Sequence, residues 1–174
     1  MGVSEYELKE DYEKSVEQFV YAYLTAGYEE LNDYTLYEYE EIIKEIFSVM
    51  KYDVQKAEKT DSGEYEVSVV IWPVDLFLNY TKELQTAAKE IEESAKNGGY
   101  EGSDEEVKEM MQYDYLSRAI DLLKDAYLKM QYSDPETVLV KVTVEGGKLY
   151  SVSEEEYQTL LKEFFRMDEI ENVG

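Results

Sequence analysis

The 174-residue sequence contains no cysteine and no histidine. Without cysteine, the chain has no disulfide, no thiolate nucleophile and no zinc–thiolate site. Without histidine, Ser-His-Asp and Cys-His arrangements and histidine-rich metal sites are impossible. Gly-rich phosphate and dinucleotide motifs and the Gly-x-Ser-x-Gly elbow are also absent from the sequence. We therefore expect no catalytic residue, no cofactor and no metal site, and we expect that the protein is not an enzyme.

Basic residues are scarce, since 17 Lys and Arg face 41 Asp and Glu and the formal net charge is −24. Nucleic-acid binding requires basic side chains that neutralise phosphates, so the sequence predicts no nucleic-acid partner. The same repulsion opposes docking on anionic lipid. Cationic partners are electrostatically permitted, although high net charge also simply keeps a protein soluble. We expect a small molecule or a protein as partner, of unknown identity.

Long apolar runs are missing, and no stretch approaches the ~20 residues of a membrane span. The opening Met1–Glu5 has neither a basic nor a hydrophobic signal region, and Met1-Gly2 is typical of an expression start. We expect no membrane insertion by this segment, and a signal or lipid anchor upstream that places the protein outside the cell; a cytoplasmic location also fits. The length predicts a single domain over residues 1–174, with residues 1–10 disordered.

Apolar residues at spacings of three and four predict five helices. Ser153-Glu154-Glu155-Glu156 matches a capping box before the last of them, and Ser103 with the acids that follow it offers capping groups for the fourth. The predicted helices run over Asp11–Leu31, Leu36–Met50, Leu76–Lys96, from Ser103 to about Gln131, and from Ser153 through Phe165.

Two segments instead alternate with the two-residue period of a strand. The first turns at Thr60–Gly63 and ends near Pro73, and the second turns at Gly146-Gly147. Because the helices are segregated from two hairpins, the sequence predicts an α+β fold. It consists of a curved antiparallel sheet of about four strands packed with about five helices.

The segment from Ser15 to Asp33, which begins Ser-Val-Glu-Gln-Phe-Val-Tyr-Ala-Tyr-Leu, resembles the first helix of small surface-lipoprotein domains of unknown function from Gram-positive gut bacteria. The run from Glu136 to Val144, with its Gly-Gly turn and closing helix, resembles the end of those domains. The resemblance implies a cystatin-like or NTF2-like fold and an exported, anchored domain. It carries no catalytic residue to this chain, and the helix pair between Leu76 and Gln131 departs from the simplest NTF2-like order.

Carboxylates are the remaining source of chemistry. A pair such as Asp75 and Asp114 could serve a glycosidase or hold a hard cation, but with 41 acids such pairs arise by chance. Asp61–Glu64 is too short for an EF-hand loop and predicts a hairpin turn. The run Glu101–Glu106 could bind calcium weakly, and a solvated loop is the simpler interpretation.

Eighteen tyrosines are the stronger functional clue, because tyrosine combines an apolar ring with a hydroxyl and suits binding surfaces. Several of these rings could equally line the margin of the core: Tyr21, Tyr23, Tyr28, Tyr34, Tyr37, Tyr39, Tyr113 and Tyr115. We take Tyr23, Trp72 and Tyr115 as the candidate ligand-binding residues. The sequence then favours a noncatalytic binding domain of a bacterial surface lipoprotein, with a carboxylate-dependent glycan enzyme or a structural spacer as alternatives.

Overall fold

The computed structural model describes residues 5–25, 31–145 and 149–170. Within these residues six helices and one four-stranded antiparallel sheet form an α+β fold, which confirms the predicted class. The elements are α1 (Glu5–Tyr23), α2 (Asp33–Ser48), β1 (Tyr52–Lys59), β2 (Tyr65–Ile71), α3 (Leu76–Lys96), α4 (Asp104–Lys129), β3 (Glu136–Glu145), β4 (Leu149–Val152), α5 (Glu154–Phe165) and α6 (Met167–Ile170).

The sheet has the order β1-β2-β3-β4, so sequence neighbours pair in each hairpin and β2 pairs with β3 across the inserted helices. Val69 lies opposite Val138 and Val67 opposite Val140, which places these four valines on one face. That face meets the helices. Strand β1 is an edge strand whose eight residues are all exposed, and its register shifts between Val54 and Ala57.

The core lies between the sheet and helices α1 to α5, and a cluster of phenylalanine rings lies within it. Phe165 lies 5.0 Å from Phe77 and 5.8 Å from Phe19, measured between ring centroids. Edge-to-face and tilted contacts of this kind add to the free energy of apolar burial. The rings come from α1, α3 and α5, so residues distant in sequence hold these helices together.

Helices α3 and α4 form a long antiparallel pair. Ser103 begins α4 with a complete capping box, in which its hydroxyl accepts from Glu106 N and the Glu106 carboxylate accepts from Ser103 N at 2.8 Å. Leu116, Ile120 and Leu123 of α4 are buried, and all lie in its C-terminal two-thirds. The N-terminal part of α4 is therefore outside the core.

Some boundaries differ from the sequence-based expectation. Helix α1 begins at Glu5, so residues 5–10, expected to be disordered, are helical, and it ends at Tyr23 rather than Leu31. A sixth helix, α6, follows Arg166, whose φ of 52° marks a left-handed C-cap. Tyr28 and the Gly146-Gly147 turn lie outside the described residues.

The predicted capping box of α5 forms only in part. The Ser153 hydroxyl accepts from Glu156 N, but the Glu156 carboxylate accepts from the backbone N–H of Lys141 in β3 at 3.0 Å. Strand β4 pairs with β3 only from Val142 onward, so the carboxylate of Glu156 bonds an amide beyond the end of β4.

Across the described residues, none of the helices is both long and apolar enough to span a membrane.

Candidate functional site

The three candidate ligand-binding residues lie on separate elements. Tyr23 is at the end of α1, where its hydroxyl donates to Gln158 of α5 at 3.1 Å. Trp72 is half-buried after β2, and its backbone N–H donates to the Lys51 carbonyl at 3.1 Å. Tyr115 is half-buried on α4.

Tyr115 lines a cavity of about 300 Å³ between α3 and α4, beside Ala88 and Ile91. Tyr23 and Trp72 line none of the four cavities described here, each of which lies among described residues. The structure therefore does not bring the three residues into one of these cavities. Their role in ligand binding stays a prediction.

Asp75 and Asp114, the example of a carboxylate pair, lie far apart. Asp75 Oδ1 accepts from Gln131 N at 2.8 Å, at the end of α4, whereas Asp114 is 15 residues before Lys129 on the same helix. At a rise of 1.5 Å per residue, Asp114 lies about 22 Å along α4 from the helix end that Asp75 contacts. Glycosidase carboxylates are about 5–9.5 Å apart, so Asp75 and Asp114 lie too far apart to act as such a pair.

The two acidic loop segments considered in the sequence analysis each make local hydrogen bonds. Thr60–Gly63 forms the first hairpin turn, in which Gly63 N donates to Thr60 O at 3.0 Å and Gly63 adopts a φ of 91°. In the Glu101–Glu106 segment, the Glu106 carboxylate is bound to Ser103. Among the described residues, no three His, Cys, Asp or Glu side chains are grouped closely enough to hold a metal ion.

A different candidate surface lies along α4. An outer groove of about 660 Å³ opens there beside the α3–α4 loop. It is bordered by two tyrosines, a methionine, a serine and four carboxylates. The lining residues are Tyr100, Glu101, Glu106, Glu109, Met110, Tyr113, Asp114 and Ser117.

An inner cleft of about 220 Å³ adjoins the outer groove, since Tyr113 and Ser117 line both. It separates the beginning of α2 from α4, and its remaining lining residues are Asn32, Tyr34, Thr35, Glu38, Leu116, Ile120, Asp121 and Lys124. We call the outer groove and the inner cleft together the α4 groove.

Two exposed aromatic rings border the inner cleft. Tyr34 is 70% exposed and Tyr113 is 75% exposed. Exposed rings on a concave surface suit stacking on a ligand, because an apolar ring left in water gains free energy when a partner covers it. Across the cleft, the Lys124 ammonium pairs with the Glu38 carboxylate. This ion pair joins α2 to α4 at the inner end.

One polar network fixes the wall of the outer groove. The Tyr100 hydroxyl donates to Asp114 Oδ2 at 2.7 Å, and Arg118 Nε donates to Asp114 Oδ1 at 3.0 Å. Arg118 also reaches Glu90 of α3 at 3.1 Å. The hydrogen bond from Tyr100, and then the Arg118 guanidinium, lower the pKa of Asp114. Asp114 is therefore ionised at neutral pH, and the network holds the loop against α4.

The interior side of the same helices carries a different tyrosine pair, Tyr39 of α2 and Tyr80 of α3. Tyr39 is fully buried and Tyr80 nearly so. Burial raises the pKa of Tyr39 to about 12 and raises the pKa of Tyr80 well above its ordinary value. The two hydroxyls are close enough to influence each other's pKa, but neither makes a hydrogen bond of good geometry with a described residue. These rings belong to the core.

The α4 groove could have been found from one stripe of α4. Positions 106, 109–110, 113, 116–117, 120 and 124 recur at helical spacing and line the groove. Along this stripe the residues change from acidic to aromatic to apolar, from Glu106 and Glu109 through Tyr113 to Leu116 and Ile120. This change marks where the stripe leaves the core.

Comparison with known proteins supports the fold. No protein-family model matches the chain, and no curated protein matches it. The structure is similar to that of a protein from Bacillus subtilis described as a candidate lipoprotein (ycdA), with a TM-score of 0.52 and 18% sequence identity. The match covers 95% of this chain and 48% of that chain, so this chain spans about half the length of the similar protein. At this identity the likeness shows a shared fold.

Proposed function

We propose that this chain is a noncatalytic binding domain of a bacterial surface lipoprotein and that it binds a protein or another ligand through the α4 groove. The main supporting observation is the pair of exposed rings, Tyr34 and Tyr113, at the border of a concave surface. Single exposed rings are ordinary on a protein surface, whereas these two rings line the same cleft, as is typical of a binding site.

The surface location rests on two likenesses. The sequence resembles surface-lipoprotein domains of the cystatin-like or NTF2-like superfamily from Gram-positive gut bacteria, and the similar solved structure is described as a candidate lipoprotein. An anchor N-terminal to these residues would hold the domain outside the membrane. Labelling of intact cells with an antibody against the domain tests this location, and a signal confined to lysed cells would contradict it.

The binding role is tested by a ligand screen on the isolated chain. Sugars, small amphipathic molecules and peptides are added to 15N-labelled protein, and amide shifts are followed by NMR. We expect a ligand to shift residues of α4 and α2 around Tyr113. Binding should weaken in Tyr34→Ala and Tyr113→Ala and persist in Tyr37→Ala, which alters an exposed ring outside the groove. Equal weakening by all three variants would contradict binding in the groove.

The alternative is a carboxylate-dependent glycan enzyme, and the observation that bears on it is Glu40 of α2. Burial, followed by neighbouring Glu17, Glu41 and Glu13, raises the pKa of Glu40, while Lys44 lowers it. Glu40 lines none of the four described cavities. Release of reducing ends from peptidoglycan or other glycans, abolished in Glu40→Gln, would favour this alternative over the binding role.

A further inference from the structure

The shape of the α4 groove indicates an elongated ligand. Its lining follows α4 from Glu106 to Lys124, which spans about 27 Å at 1.5 Å per residue. An extended polypeptide rises about 3.3 Å per residue, so about eight residues would follow the whole groove. A small molecule would cover one part of it and leave the other tyrosine or the outer carboxylates unused.

The charge of the groove indicates the sign of that ligand. In the outer groove, Glu101 and Glu109 make no hydrogen bond or ion pair with any described residue, and both face an opening without a lysine or arginine in its lining. Further in, Asp121 adds a negative charge beside the Glu38–Lys124 pair. Because the net charge of the chain is −24, a cationic ligand is attracted from a distance and an anionic one is repelled.

The aromatic rings distinguish this surface from a merely acidic one. Tyr113 lies between the outer carboxylates and the inner cleft, and Tyr34 faces the cleft from α2. A guanidinium group stacks on a tyrosine ring and also bonds a carboxylate in a bidentate manner, and the aliphatic stem of lysine packs on the same ring. The carboxylates and tyrosines that follow one another along this groove therefore match arginine or lysine side chains along an extended chain.

We propose that the α4 groove binds an extended arginine- or lysine-rich segment of a partner protein. This proposal rests on the proposed binding function and adds the chemistry of the partner. The Glu101 and Glu109 carboxylates receive the first basic side chains, Tyr113 stacks on the next one, and the neutral floor of the cleft at Leu116 and Ile120 accepts an aliphatic stem.

Fluorescence anisotropy with two labelled decapeptides tests the proposal. One peptide alternates arginine with serine, and the other alternates glutamine with serine, so only the charge and the guanidinium groups differ. The variants are Glu109→Gln/Tyr113→Ala in the groove and Glu155→Gln/Tyr52→Ala as the matched control. Tyr52 and Glu155 are exposed and line none of the four described cavities, and each double variant removes one charge and one ring.

We expect the arginine peptide to bind the native chain at least about tenfold more tightly than the glutamine peptide. The groove variant should weaken the arginine peptide about tenfold and the control variant less than about twofold. Circular dichroism should show both variants folded, because all four side chains are exposed. Equal weakening by the two variants would mean nonspecific attraction to a polyanion, and equal binding of the two peptides would mean that charge is not recognised; either result overturns the proposal.

A third probe separates this proposal from the binding function itself. A neutral oligosaccharide is titrated by NMR against the native chain and against Tyr113→Ala. If the oligosaccharide binds and loses affinity in Tyr113→Ala while the arginine peptide does not bind, the groove is a glycan site and the peptide proposal is overturned. If neither probe nor the wider ligand screen responds to the groove variants, the binding function fails as well.

Discussion

Among their tyrosines, helices α2 and α4 each have one pair whose members are two positions apart, and the two members of each pair have different environments. On α2, Tyr37 is exposed and Tyr39 is completely buried. On α4, Tyr113 is largely exposed while Tyr115 is half-buried against α3. Two positions rotate a side chain by about 200° around a helix, so the members of each pair point in nearly opposite directions.

The contrast shows that the high tyrosine content has two causes. On the interior side the rings fill space, and the hydroxyls of Tyr39 and Tyr80 find no well-formed hydrogen bond with a described residue. On the groove side Tyr34 and Tyr113 fill nothing within the described structure and remain in water. Stability and binding should therefore depend on different tyrosines, and the following predictions test that separation.

The largest expected effect is on stability in Tyr39→Ala. Truncating a fully buried ring leaves a cavity among α2, α3 and α4 and should lower the free energy of unfolding by about 3–5 kcal/mol. Urea unfolding measures the change, with Tyr37→Ala on the same helix as control, expected within about 0.5 kcal/mol of the native chain. Similar losses in both variants would remove the distinction between the two sides of α2.

The next effect is a loss of stability at alkaline pH. Because the folded-state pKa of Tyr39 is about 12 and an unfolded tyrosine titrates near 10, the unfolded state loses its proton first as the pH rises. The stabilisation is complete below pH 10 and falls by about 2–3 kcal/mol between pH 10 and 12 for this residue. Unfolding measured at pH 9, 10, 11 and 12 should show a smaller fall in Tyr39→Phe than in Tyr37→Phe; identical slopes in the two variants would refute the assignment.

A smaller loss of stability is expected in Asp114→Asn, which alters the wall of the outer groove. The side chain of Asp114 is about one-third exposed and that of Arg118 more so, and solvent screening limits such pairs to at most about 1 kcal/mol. The control is Asp125→Asn, which alters the more exposed Asp125–Lys129 pair, also four residues apart on α4. This variant should lose less stability than Asp114→Asn.

At low pH, the difference in unfolding free energy between the native chain and the Asp114→Asn variant should disappear. The folded-state pKa of Asp114 is lowered, so its contribution is present above the ordinary carboxyl pKa and is lost as the pH falls through the folded value. Unfolding curves at pH 7 and at low pH check this. A loss that persisted unchanged in strong acid would mean that the asparagine disturbs packing rather than charge.

The smallest expected effect is on stability in Tyr34→Ala and Tyr113→Ala, which should each stay within about 0.5 kcal/mol of the native chain. Both rings are largely solvent-exposed, so little buried area is lost. Thermal unfolding followed by circular dichroism measures this. A loss above about 1.5 kcal/mol in either variant would mean that the groove tyrosines support the fold after all.

Much of the fold follows from local patterns. The helix predicted over Leu76–Lys96 agrees with α3 to the residue, since its apolar spacing is regular and Pro73 and Asn97-Gly98 bound it. The start of α1 was predicted six residues late, because the segment before Asp11 is polar and shows no apolar period. Residues at an exposed helix end leave little hydrophobic signal in a sequence.

The site was less accessible from the sequence than the fold. In the sequence, nothing distinguished Tyr34 and Tyr113 from the other tyrosines. The residues that were chosen, Tyr23, Trp72 and Tyr115, do not line one described cavity together. Whether a ring is covered depends on where a neighbouring helix ends. Tyr113 is exposed beside the beginning of α2 at Asn32, whereas Leu116 and Ile120, further along α4, are buried.

By itself the sequence determined the α+β class, the order of helices and hairpins, the negative charge and the absence of histidine and cysteine chemistry, because composition and periodicity are local properties of the chain. Only the tertiary structure decided that Glu156 bonds Lys141 instead of completing its own capping box, and that Asp75 and Asp114 are far apart. It also decided which tyrosines face the core and which line the α4 groove. These outcomes depend on contacts between residues distant in sequence, and local periodicity does not encode where one element ends against another.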